Sequence, residues 1–307
     1  MLKSITVTNA ADQSLKLELA YPWDSRVIVK SIDGLTPTKG TINTNALATS
    51  DGSVYNSARQ EQRNLVLNLR LLEDLEDGLI ETTRQKLYKY FPVKKKVTIR
   101  AEADNRVAYT EGYVETNEPS IFQEYEEQQI SIICPNANWT APSSTYRLNG
   151  LDSLFEFPFS NESLEDDLLI FGEIIYYIGT TFVYEGDVES GVVMTIHCTT
   201  GECTNPCVYN VITKEEMTFN TGKLGTIIGD GVNGMQAGDT LICSTVDGDP
   251  YVTFIRNGVE YNAIAMLPKI SNWLKVQAGY NAFGYKADAG STNIEIVVQT
   301  QILYGGI

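Results

Sequence analysis

Leu65-Val66-Leu67-Asn68-Leu69-Arg70-Leu71 places a leucine at every second position. Successive side chains of a strand point to opposite faces, so this spacing reads as a strand with one face buried. The same period of two runs through residues 3–9, 15–19, 26–32, 97–101, 109–115 and 128–134. Gly, Pro, Asn or Asp, the residues that supply turn geometry, bound each run. One stretch breaks the rhythm. From 77 to 91 the apolar residues Leu79/Ile80, Thr83, Leu87 and Phe91 recur every three to four positions, and Pro92 closes the run. That spacing predicts a helix, with Arg84 and Tyr88 on its outer face. The first part of the chain is therefore expected to be a sheet domain carrying one helix.

After Trp139, the polar segment Thr140-Ala141-Pro142-Ser143-Ser144-Thr145 suits a linker or crossover. It divides the chain into an expected first domain, 1–140, and a second, 141–307. The second resumes short strands about every 8–12 residues, including 168–178, 191–198, 208–212, 251–256, 281–287 and 293–302, which is the pattern of a β-sandwich. Asn257-Gly258 predicts a tight hairpin, because a type I′ turn needs two positive φ angles. The fold class expected is mainly β.

At 307 residues the chain is long enough for two ordinary cores. It carries 23 Lys and Arg against 39 Asp and Glu, a formal net charge of −16. Nucleic-acid affinity comes largely from cations neutralising phosphates, so this balance argues against nucleic acid, and its sign argues against an anionic membrane surface. The charge is uneven. Residues 1–150 hold 17 basic and 19 acidic side chains, a net of −2, whereas residues 151–307 hold 6 and 20, a net of −14. No apolar stretch approaches the ~18 residues of a membrane span. Met1-Leu2-Lys3-Ser4 opens no secretory signal, and five cysteines do not suggest a disulfide framework, so synthesis in a reducing cytosol is expected.

The residues that could carry chemistry are few. His197, Cys198, Cys203 and Cys207 are the sole metal-like cluster, but adjacent His197 and Cys198 point to opposite faces of a strand, and zinc needs four convergent ligands. His197 is also the one imidazole available to activate a cysteine nucleophile. The acidic runs Glu124, Glu126, Glu127 and Glu165, Asp166, Asp167 could hold a glycosidase pair, yet runs of adjacent acids favour solvated loops. Asp230, Asp239, Asp247 and Asp249 match no twelve-residue calcium loop. The glycine-rich stretch 229–234 lacks the Lys and Ser/Thr of a phosphate loop. No catalytic residue, metal or cofactor is expected. Lys94-Lys95-Lys96 is the one basic run, a solvated turn or a contact for an acidic neighbouring subunit. Residues 36–56, rich in Thr, Asn, Gly and Ser, are a flexible loop or an extended arm reaching a neighbour.

Several features in chain order resemble a known family. They are Asp51-Gly52-Ser53-Val54-Tyr55 with Arg59, Arg63 and the leucine strand, the helix bearing Arg84, Leu87 and Phe91, and Tyr109, Gly112-Tyr113-Val114 and Phe122-Gln123. Ile130-Ser131-Ile132-Ile133-Cys134-Pro135-Asn136-Ala137-Asn138-Trp139 follows, and near the end come Trp273 to Val276 and Ala278-Gly279-Tyr280-Asn281-Ala282-Phe283-Gly284-Tyr285. Together they resemble the distal tail proteins of bacteriophages with long, non-contractile tails. Two places depart from that family, namely Asn136-Ala137 after Cys134-Pro135 and the segment from Cys198 to Cys207.

The resemblance implies a virion protein without enzymatic activity, assembled in the host cytoplasm. It implies a hexameric ring at the tail tip, between tail-tube protein and tail-tip protein. The first domain would be a sandwich or barrel-like ring former, and the second an outward galectin-like sandwich that either docks receptor-binding proteins or is itself peripheral. Arg59, Arg63, Lys94, Lys95 and Lys96 are then candidate ring contacts. A competing reading is a carbohydrate-binding module or adhesin contacting host glycans through Trp273, Tyr280 or Tyr285, and a weaker one is a glycoside hydrolase.

Overall fold

A computed structural model describes residues 1–47, 51–122, 124–148, 150–153, 172–175, 179–269 and 271–307, with the backbone alone at 150–153 and 172–175. The chain forms two compact units. Residues 1–142 together with 303–307 make unit 1, and 143–302 make unit 2. The last five residues thus return to the first unit, a discontinuity that a single division near 140 does not contain.

Unit 1 is built from β1 (Leu2–Asn9), β2 (Ser14–Glu18), β3 (Val27–Asp33), β4 (Gly40–Ala46), β5 (Ser53–Gln60) and β6 (Arg63–Leu71). Then come α1 (Ile80–Tyr90), β7 (Lys96–Ala103), β8 (Val107–Ser120), β9 (Glu127–Cys134) and the start of β10 (Trp139–Arg147). Its antiparallel strands run in the order β2-β1-β7-β8-β9-β6-β3. β8 pairs β7 through its first half and β9 through its second, with a register shift between Val114 and Thr116. No sheet closes into a barrel among the described residues.

The leucine strand is β6, and Leu65, Leu67, Leu69 and Leu71 are all buried. Across the ladder Leu65 faces Ile132 and Leu67 faces Ile130, both buried, so the period-two pattern translates directly into core. Helix α1 lies on this layer through Thr83 and Leu87, with Phe91 buried just beyond it. Asp77 accepts the Leu79 amide at 2.9 Å before the first turn, and Thr83 Oγ1 donates to the Leu72 carbonyl at 2.8 Å. Arg84, expected on the outer face, is half-buried and pairs with Glu126 at 3.1 Å.

Two expectations need correction. The 140–145 segment, expected as a linker or crossover, does carry the division between the units, after Pro142, but as a strand: it is part of β10, where Thr140 pairs with Tyr109 and Ala141 is buried. Alternate burial holds it in the layer despite its polar composition. Residues 36–56 are not one flexible loop either, because β4 and β5 form a hairpin with its own two-stranded sheet.

Unit 2 continues with β11 (Gly150–Ser153), β12 (Gly172–Ile175), β13 (Gly179–Tyr184), β14 (Ser190–Cys198), β15 (Glu202–Cys203), β16 (Cys207–Asn210) and β17 (Glu216–Thr218). After α2 (Leu224–Ile228) come β18 (Met235–Gln236), β19 (Thr240–Ser244), β20 (Tyr251–Arg256), β21 (Val259–Asn262), β22 (Lys275–Val276), β23 (Gly279–Lys286) and β24 (Ile294–Tyr304). One antiparallel layer runs β24-β14-β19-β20-β21 and the other β13-β23-β16-β17. Val192, Met194, Ile196 and Phe254 from the first, with Phe182 and Phe283 from the second, lie in the core. Asn257 (φ 52°) and Gly258 (φ 77°) make the expected tight turn between β20 and β21. Of the expected strand 168–178, only β12 lies within the described residues.

Candidate functional site

The β4–β5 hairpin is the candidate contact surface of unit 1. Its register sets Ile42 opposite Ala58 and, past an irregularity between Asn43 and Thr44, Thr44 opposite Tyr55 on one face, with the pairs Thr41–Arg59, Asn43–Ser57 and Asn45–Val54 on the other. Asn43 Nδ2 donates to Ser57 Oγ at 3.1 Å, so the polar face is knitted within the hairpin. The apolar side chains are exposed: Ile42 is 65% accessible, Tyr55 62%, Leu47 49% and Val54 48%. A two-stranded hairpin is marginal in water by itself, and exposed apolar side chains on such a hairpin are a surface for another molecule. Arg59 is exposed on the polar face and pairs with no carboxylate among the described residues.

The other ring-contact candidates separate. Lys94 and Lys95 are exposed in the turn before β7, with Lys94 at φ 66°, and no described carboxylate pairs with them. Lys96 is bound to Glu111 at 2.8 Å, and this partner raises its pKa. Arg63 has a different place altogether. It is fully buried, so it offers no surface to a neighbour. Its Nε and Nη2 donate to the Ala137 carbonyl at 3.1 and 2.6 Å, Nη1 donates to the carbonyls of Thr36 (2.7 Å) and Gly34, and Nη2 also reaches Gly305 (2.8 Å). Its guanidinium carbon sits 5.2 Å from the Trp139 ring centroid, and burial lowers its pKa from the ordinary arginine value. On β6, Arg63 stands in the same alternation as Leu65, Leu67 and Leu69, which is why it points inward.

In unit 2, His197 Nδ1 lies 2.9 Å from Thr240 Oγ1, while Cys203 and Cys207 are buried. No three His, Cys, Asp or Glu groups among the described residues converge as metal ligands. Burial pushes the Cys203 and Cys243 thiols up to about 12, so both stay protonated and behave as small apolar side chains. Several of the candidate acids are paired locally: Glu126 with Arg84, Glu127 with Lys30, and Asp247 with Lys275. Glu165, Asp166 and Asp167 lie outside the described residues. Of the aromatic candidates for glycan contact, Tyr280 is 78% exposed and Trp273 37%. Tyr285 is buried, because it shares the inward alternation of Phe283 on β23, and this removes it as a platform.

Sequence reasoning missed a second buried arginine. Arg256 donates to both oxygens of Asp239, to Asp230 Oδ2 at 2.9 Å and to the Gly234 carbonyl at 2.8 Å, pinning the glycine-rich turn. The signal was present, since Arg256 follows Val252 and Phe254 at period two on β20. Two outcomes follow. Asp239→Ala leaves a buried cation without its main partner and is expected to cost unit 2 about 3 kcal/mol in urea unfolding. Asp230 has its pKa lowered, first by the Val232 amide and then by Arg256. Its contribution is therefore complete above the unfolded value of 3.8 and is lost as pH falls through the folded one. Asp230→Asn is expected to flatten the acid limb of the stability curve below about pH 4, leaving neutral pH less stable than wild type.

The fold is similar to that of a solved phage hub protein. Over 98% of this chain and 99% of its own, the crystal structure of SPP1 Dit, a paradigm of the hub adsorption apparatus in Gram-positive-infecting phages, aligns with a TM-score of 0.61 at 12% identity. Two structures of the phage P2 baseplate in its activated conformation align less closely. The one with Ca covers 98% of both chains (TM-score 0.44, 11% identity), and the one with Sr covers 97% of both (0.42, 10%). No family model matches the chain, and no curated protein does.

Proposed function

We propose that this protein is the hub at the distal end of a phage tail, a ring of six copies that joins the tail tube to the tail-tip protein. The observation that carries this is the exposed, two-faced β4–β5 arm, on a chain whose fold from end to end is that of SPP1 Dit. A hub must meet copies of itself, and an arm whose apolar face its own unit leaves uncovered suits that task. Of the candidate ring contacts, Arg59, Lys94 and Lys95 pair with no described carboxylate and are available to an acidic neighbour. Unit 1 forms the ring, and unit 2 is the outward galectin-like sandwich, a dock for receptor-binding components. The protein has a structural and not an enzymatic role, and it is assembled in the host cytoplasm into the virion.

Mass photometry of the purified chain, alone and with tail-tube protein, tests this reading. A species of six copies in either condition supports it. A monomer in both, with no co-assembly, overturns it.

A second reading rests on Tyr280, exposed on β23 beside the exposed Val183 of β13. As a flat aromatic platform with Trp273 available, it supports glycan contact by unit 2. A glycan array probed with the full chain and with Tyr280→Ala decides it: binding lost in the variant favours contact, and no binding by wild type removes the idea.

A further inference from the structure

The five N–H donors of a guanidinium are normally met by a carboxylate or by water. Those of Arg63 are met by backbone carbonyls from three separate segments. Gly34 and Thr36 belong to the root of the arm, just before β4. Ala137 precedes β10. Gly305 lies in the segment 303–307, which reaches unit 1 only after the whole of unit 2 has been traversed.

The same two segments touch elsewhere. The Ile307 amide donates to the Leu35 carbonyl at 3.1 Å. Gly306 lies so close to the root that an added Cβ would fall 2.9 Å from Pro37 Cδ and 3.0 Å from the Leu35 carbonyl oxygen. Arg106 stacks over Tyr304 at 4.4 Å and donates to the Gly306 carbonyl at 3.4 Å, a second hold on the strap. At the root, Gly34 adopts φ 88°, and an added Cβ would fall 2.0 Å from the Asn64 carbonyl oxygen, so this corner depends on glycine.

We infer that Arg63 is a positioning residue that couples the 303–307 strap to the root of the β4–β5 arm. The arm takes its stance only when the strap has docked. The consequence is a checkpoint on assembly: a chain whose unit 2 has not been completed lacks the strap, leaves one acceptor of the Arg63 fork missing, and holds an unset arm. A buried hub of this kind is worth more for the one geometry it specifies than for net stability. The inference rests on reading β4–β5 as the assembly arm, and its test is made on the unassembled chain so that the two fail separately.

The arm root carries a trypsin site at Lys39, exposed and next to the segment in question. Cleavage after Lys39 is followed by mass spectrometry on the folded full-length wild type, Arg63→Lys and Gly306→Val. Amide exchange along β7 is read in parallel as the measure of global opening. Arg63→Lys keeps the charge but not the fork, whereas Gly306→Val displaces the strap and leaves Arg63 intact.

The expected result is cleavage after Lys39 that is faster in both variants, by about tenfold or more, than any accompanying rise in β7 exchange accounts for. An unchanged Lys39 rate in Gly306→Val overturns the coupling. So does a rate that rises only in proportion to β7 exchange, which is what a merely structural arginine would give.

Discussion

Ile42→Asp combined with Tyr55→Asp is expected to abolish self-association while leaving the fold of the chain intact. Both side chains sit on the apolar face of the β4–β5 arm, exposed at 65% and 62%. Burying an aliphatic or aromatic side chain of this size contributes about 1.5–3 kcal/mol each, and placing a carboxylate in the same contact adds an unpaired buried charge. The combined loss weakens association by a factor of a thousand or more, since each 1.4 kcal/mol is tenfold. Both side chains are mostly exposed in the unassembled chain, so the melting temperature is expected to move by no more than about 2 °C. Light scattering and calorimetry on one sample give both readings. Loss of the ring together with a large fall in melting temperature would mean that the arm supports its own unit instead.

The largest effect on stability is expected from Arg63→Met. Methionine fills part of the space over Trp139 but donates no hydrogen bond, leaving the carbonyls of Gly34, Thr36, Ala137 and Gly305 to lose their shared partner. Leaving buried carbonyls without a donor costs about 1–3 kcal/mol for each that water does not reach, so a total of about 3–5 kcal/mol is expected, which for a unit of this size lowers the melting temperature by roughly 10 °C. Arg63→Lys retains the charge but recovers only part of that loss, because an ammonium cannot reach three segments as the planar fork of arginine does. Urea unfolding of the two variants against wild type measures the difference. Equal stability of Arg63→Met and wild type would mean that water replaces the guanidinium without cost.

The two halves of the chain were legible to different depths. The β class followed from alternation, and the helix from its three-to-four spacing, because burial on one face is a local pattern that sequence carries openly. The Asn257-Gly258 turn was equally open, since few residues tolerate its φ angles. The polar 140–145 segment holds the division between the units, but its composition hides that the crossing is made as a strand, β10, whose first residues bury Trp139 and Ala141. The arm was seen as a reach toward a neighbour but not as a hairpin, because its strands bury nothing within the unit and so show no core signature.

The buried arginines were missed for the opposite reason. Their period-two positions on β6 and β20 pointed inward, but residue type pointed outward, and the carbonyls and carboxylates that make burial tolerable come from segments distant in sequence. Tyr285 follows the same logic, as its alternation with Phe283 outweighs the exposure of nearby Tyr280. The charge division acquires a structural context as well. The nearly balanced half supplies the arm, where heavy like charge would oppose contact between copies, and the half carrying −14 is the one proposed to face outward.

The central claim is that copies of this chain close a ring at the tail tip through the β4–β5 arm. Electron cryomicroscopy of the tail tip of the phage that carries it tests this most directly. The account predicts six copies around the tail axis, each with the Ile42 and Tyr55 face of its arm covered by the next copy. A tail tip without this chain, or a ring in which those arms project uncovered into solvent, would contradict it.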